Sequence, residues 1–165
     1  MVKSARLFGK QYLGFWFPAL IFVLLQLLPY IVMMFVRPEP NPIKELPESS
    51  RFMEACEKLC GILCVVVLTF IVHKDAGLFS LKTARETVFF ALAMIVLAAN
   101  YIGWILYYNG HQSAYDILIL LVTLPPLYYM FLGVWRRNTP LIICASVFLP
   151  VHFFNVLTSL HATFM

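Results

Sequence analysis

Apolar positions run along this chain in five long stretches separated by short polar connections. They cover about Tyr12–Val36, Phe52–Val72, Thr87–Tyr108, Asp116–Trp135 and Leu141–Phe164. Each holds the ~20 residues that carry a helix across ~30 Å of hydrocarbon. The stretches are too long for strands and do not alternate. A backbone in lipid must also satisfy its own hydrogen bonds, so each stretch predicts a helix.

Polar residues break these stretches at helical spacing. In the last one, Ala145, Phe148, His152, Asn155, Ser159 and Ala162 recur at steps of three and four, which places them on one face. The first offers Ala19, Gln26, Tyr30 and Met33. The third offers Ala93, Asn100, Trp104 and Tyr107, with Ala99 and Gly103 permitting close helix approach, and the fourth offers Asp116, Leu120, Thr123 and Leu127. Turning these seams inward gives a bundle. Its interior then carries Gln26, Asn100, Trp104, Asp116, Thr123, His152 and Asn155, a candidate ligand-binding cleft that opens outward, with Glu54, Glu57 and Asp116 around its mouth. The same polar groups read as interhelical hydrogen-bond partners, or as a ligand or ion pathway.

Prolines punctuate the same stretches. Pro18, Pro29, Pro125, Pro126 and Pro150 each lack an N–H. In α-helical register they free the carbonyls of Leu25, Leu121, Val122 and Ser146, among others, and predict kinks. The connection "RPEPNPIKELPESSRF" is extended by its prolines. Ser49 or Ser50 is placed to cap the second helix, and Thr83 with Glu86 has capping-box spacing before the third.

Composition agrees with a lipid-facing exterior. Of the 165 residues, 62% are hydrophobic and only 12% charged, against ~45–50% and ~25% in soluble domains. The mean hydropathy is +0.86. Trp16, Trp104 and Trp135 lie toward the ends of stretches, which suits headgroup anchoring.

The net charge of +4 matters less than its placement. Lys3, Arg6, Lys10, Lys74, Lys82, Arg85, Arg136 and Arg137 fall on one side of a five-span topology. Arg37, Lys44, Arg51 and Lys58 fall on the other. The positive-inside rule then puts the N-terminus in the cytoplasm and the C-terminus outside. The expectation is an all-α integral membrane protein, a bundle of about five transmembrane helices forming one domain over residues 1–165, in the plasma (inner) membrane. Lys3, Arg6 and Lys10 resemble a basic leader, but the following apolar stretch is too long and lacks a small-residue cleavage site, so it reads as an uncleaved span.

Chemistry-bearing motifs are scarce. Cys56, Cys60 and Cys64 follow one helical stripe, a spacing that suits packing better than a metal site. Four cysteines in apolar surroundings make no disulfide framework. No phosphate-binding loop, Ser-containing nucleophile elbow or H-E-x-x-H appears, and no cofactor motif. Phe148 to His152 matches the F-x-x-x-H motif of one class of intramembrane glutamate proteases. That class also uses adjacent glutamates, which this chain lacks.

The functional expectation is therefore a non-enzymatic membrane protein. It binds a lipid or small hydrophobic ligand, or serves as an accessory subunit of a membrane complex. A protomer of an oligomeric transporter or channel is the second reading, and an intramembrane enzyme using His152 as general base the third. Membrane lipids are the expected partners, with other membrane subunits or further copies of the chain beside them. No basic run with interleaved aromatics points to nucleic acid.

Overall fold

The computed structural model describes residues 2–36, 38–47 and 50–164. Arg37, Glu48 and Ser49, which the sequence places in the first outer connection, lie outside the described residues. The chain is 72% helical. It starts with a strand pair, β1 (Val2–Phe8) and β2 (Gln11–Phe15), before helix α1 (Pro18–Met33). A single turn, α2 (Pro42–Glu45), precedes α3 (Arg51–Phe70), which runs straight into β3 (Ile71–His73). Then come α4 (Ala84–Tyr108), the turn α5 (Ala114–Asp116), a π-helical segment (Ile117–Thr123), α6 (Leu124–Arg136) and α7 (Thr139–Phe164).

Three helical stretches are long and apolar enough to cross a membrane: Ala84–Tyr108, Ala114–Arg136 and Thr139–His161. The other two expected spans are less clear-cut. At 16 residues, α1 rises only ~24 Å. It begins at Pro18 because Tyr12 to Phe15 pair in the sheet. Although α3 has 20 residues, its first two turns carry Arg51, Glu54, Glu57 and Lys58, which shortens its apolar part.

The small antiparallel sheet has the order β1-β2-β3, with Gln11 opposite His73 and Leu13 opposite Ile71. It departs from the all-helical expectation. The sheet end also gathers basic residues. Lys10 pairs with Asp75 at 3.1 Å, and Arg137 with Glu86 at 3.2 Å. The Asp75 carboxyl is held below its usual range, first by the hydrogen bond from Lys10. Thr83 caps α4, accepting from the Glu86 amide at 3.2 Å. Glu86 itself is nearly buried, and its carboxylate accepts from the Ser80 hydroxyl and the Lys82 amide. By contrast, Ser50 makes no side-chain cap on α3.

The three tryptophans are buried, at 1–2% exposure. Trp16 and Trp135 donate to the carbonyls of Leu78 and Ser80. They form an aromatic cluster with Phe22, Phe79 and Phe90, and the Arg136 guanidinium lies 4.1 Å from the Trp16 ring. Arg136 also donates to the Gly77 carbonyl at 2.8 Å. Buried Asn138 starts α7 by accepting from the Leu141 amide. Its amide group donates to the carbonyls of Val67 and Ile71, so one side chain ties the end of α3 to the start of α7.

In the body of the molecule α4 packs along α6, α6 along α7 and α7 along α3, whereas α1 touches α3 and α4 only sparsely. Most positions of the predicted inward faces of α1, α4 and α7 are buried: Ala19, Gln26 and Met33; Ala93, Asn100, Trp104 and Tyr107; Ala145, Phe148, Asn155 and Ser159. Tyr30 and His152 are half-buried, and the Ala162 side chain lies outside the described residues. Gly103 permits close packing as expected, since a Cβ there would meet Leu120 Cβ at 2.5 Å. The fourth seam differs. The buried positions are Ile117, Leu121, Val122, Pro125, Pro126, Tyr128, Tyr129 and Leu132, not Asp116, Leu120, Thr123 and Leu127. The π-helical segment widens the turn and rotates the inward face away from an α-helical forecast.

Outward, the helices carry rows of large exposed apolar side chains. Leu20, Ile21, Leu24 and Ile31 stand on α1, Ile62 and Val66 on α3, Ile95, Ile102 and Ile105 on α4, and Ile143, Val147 and Phe154 on α7. Such surface is far more apolar than water tolerates on a monomeric protein.

Candidate functional site

The prolines show how the polar interior is settled. Pro29 leaves the Leu25 carbonyl without its helical donor, and the Tyr101 hydroxyl supplies one at 2.7 Å. Pro18 bends nothing, because it occupies the first turn of α1. Pro125 and Pro126 likewise start α6, just after the π-helical segment. In that i→i+5 register the carbonyls left open by Pro125 and Pro126 are those of Leu120 and Leu121, not Leu121 and Val122. Asn100 Nδ2 donates to the Leu120 carbonyl at 2.7 Å, while Asn100 Oδ1 accepts from Gln26 Nε2 at 3.3 Å. Gln26, Asn100 and the backbone of Leu120 thus form one closed link between α1, α4 and the π-helical segment.

Two other predicted residues are satisfied locally. Asp116 holds the Ser113 hydroxyl at 2.7 Å, and the Thr123 hydroxyl donates to the Leu118 carbonyl at 2.7 Å. Neither is in the wall of the two cavities that meet at His152.

His152 and Asn155 meet on α7 around a partner from α3. His152 Nδ1 lies 3.1 Å from Glu57 Oε1, and Asn155 Nδ2 donates to Glu57 Oε2. The His152 ring stacks on Phe148, with centroids 5.1 Å apart. One Glu57 oxygen thus accepts from Asn155 and the other lies beside the imidazole, an arrangement that allows a carboxylate to sit half-sheltered among apolar side chains. The sequence indicates Glu57 only as an acid near the mouth of the bundle; its role as the centre of this cluster depends on α3 lying against α7.

Two cavities meet at this cluster. One, of about 330 Å³, is bounded by Tyr30, Glu54, Glu57, Lys58, Trp104, His152, Asn155 and Ser159, with Leu46 and Pro47 over it. The other, of about 430 Å³, is bounded by Gln26, Leu27, Ile62, Val65, Val66, Pro125, Tyr129 and Phe148. Tyr30, Glu57, Lys58 and His152 belong to both walls. Of the seven residues singled out in the sequence, Trp104, His152 and Asn155 thus line the first cavity, and Gln26 and His152 the second. Asn100 lies behind them, and Asp116 and Thr123 lie elsewhere.

Together the cavities form a slot, polar at one end and aliphatic at the other, where α1 stands away from α3. Its chemistry suits retention of an amphiphile. No protein-family model matches this chain, and neither a curated protein nor a solved structure does.

Proposed function

We propose that this chain is a multi-pass membrane protein that binds a lipid or small hydrophobic ligand in the slot between α1, α3 and α7. In this reading five helical segments cross the bilayer, with α1 and α3 completing the set begun by α4, the 114–136 segment and α7. The sheet end faces the cytoplasm. The plasma (inner) membrane is the assigned location.

One observation carries the binding reading. A paired carboxylate, imidazole and amide stand at the junction of two cavities, one of which presents mainly apolar surface. A cluster serving only to hold helices together has no need of such a space beside it. Interiors are otherwise packed to crystal density.

Gly61 provides the test, because it faces the aliphatic cavity and a Cβ there makes only ordinary contact with Phe148, at 3.6 Å. Native mass spectrometry of the gently purified protein is expected to show a bound hydrophobic molecule. Gly61→Leu should lose it while the melting temperature of the delipidated protein holds. Wild-type protein without any such adduct, or equal retention by the variant, would overturn the reading.

A further inference from the structure

The polar end of the slot specifies more than hydrophobicity, and the inference drawn from it rests on the binding reading above. The charged side chains in its wall are already matched. Glu54 has Lys58 at 3.4 Å, and Glu57 has His152 at 3.1 Å with Asn155 on its other oxygen. Two groups are left open among the described residues of the slot. The Trp104 indole N–H, on a side chain 2% exposed, is a donor without an acceptor, and Gln26 Oε1, equally buried, is an acceptor without a donor, while His152 Nδ1 faces Glu57 outside hydrogen-bond geometry.

That combination discriminates between headgroups. An ammonium group has donors only, so it cannot satisfy an indole N–H. A carboxylate or phosphate can accept, but it brings a negative charge beside Glu54 and Glu57 in a half-enclosed site. A neutral hydroxyl accepts from the indole and has a proton to donate to a carboxylate lone pair. We infer that the ligand is an uncharged, hydroxyl-headed amphiphile, its oxygen at Trp104 and its aliphatic body beyond His152 against Leu27, Ile62, Val66 and Phe148.

Photoactivatable probes of one chain length, bearing an alcohol, an amine, a carboxylate or no headgroup, test this on the full chain in lipid nanodiscs. The alcohol should label α3 and α7 at the aliphatic cavity. Excess alcohol should displace it far better than excess amine or acid. Trp104→Phe should weaken the alcohol about three- to tenfold, the scale of one lost hydrogen bond, and leave the headless probe unchanged. Competition by a sterol or by a monoacylglycerol then distinguishes the two natural sources of such a headgroup. Equal or better displacement by amine or acid, or an alcohol affinity indifferent to Trp104→Phe, would refute the headgroup assignment and leave the slot. Labelling by none of the probes would remove the binding site itself.

Discussion

Asn100 illustrates how a single residue is committed on both sides. It is fully buried, its oxygen taken by Gln26 and its nitrogen by the Leu120 carbonyl. Interhelical hydrogen bonds in membranes average only ~0.6 kcal/mol, because an orphaned group usually finds another partner. Leu120 is poorly placed to do so, since the position that would donate to it in this register is Pro125, which has no N–H. Asn100→Ala is therefore expected to cost about 1–2 kcal/mol, above that average. Equilibrium unfolding in mixed micelles measures it. Arg136 is committed differently, through a planar guanidinium between the Trp16 and Trp135 rings at 4.1 and 5.4 Å. Lysine keeps the charge but not the plane, so Arg136→Lys should lower stability by about 1 kcal/mol or more. An unchanged melting temperature would contradict the stacking account.

At the scale of elements, the π-helical segment decides which carbonyl Asn100 meets. If Pro125 is what opens Leu120, then Pro125→Ala restores an N–H in the right register. Asn100→Ala should then cost less in that background, with a coupling of about 0.5–1 kcal/mol in a double-mutant cycle. Additive effects would separate the two residues. The register change also explains what the sequence could convey and what it could not. Periodicity gave the faces of α1, α4 and α7, because those helices stay in 3.6-residue register along the residues that matter. It misassigned the face running through Leu120 and Thr123, since nothing in "ILILLVT" marks an extra residue per turn. The strand at Tyr12 was hidden for a different reason. An apolar run continuous with α1 has no local boundary before Pro18, and β2 is the central strand, paired with β1 on one side and on the other with Ile71–His73, nearly sixty residues away. Glu57 follows the same logic. Its type and position were plain, but its meeting with His152 and Asn155 is a product of how α3 packs on α7.

The whole molecule has two unlike ends, and the difference bears on how it sits in a bilayer. The sheet end holds Arg6, Lys10, Lys74, Lys82, Arg85, Arg136 and Arg137 around the 74–83 connection and the turn between α6 and α7. The opposite end carries fewer basic residues, Lys44, Arg51 and Lys58, beside the acids Glu54, Glu57 and Asp116, and its connection is held by short uncharged contacts. Tyr107 donates to Asn41 Oδ1 at 2.8 Å and accepts from the Ile43 amide, and Gln112 donates to the Pro40 carbonyl at 3.0 Å. Between the ends lie the exposed apolar rows, so rotation of the molecule out of the membrane normal would expose either those rows to water or the charges to acyl chains. Moving a basic side chain to mid-bilayer costs at least ~2.5 kcal/mol, which makes the sheet end an anchor rather than a part that crosses. Single cysteines at Lys82 and His111, both exposed, in a background with the four native cysteines replaced by alanine, read the outcome directly. A membrane-impermeant thiol reagent added to intact cells should label His111→Cys and spare Lys82→Cys until the membrane is opened. The reverse pattern would invert the orientation, and labelling of both from outside would mean that the segments between them do not cross the bilayer an odd number of times.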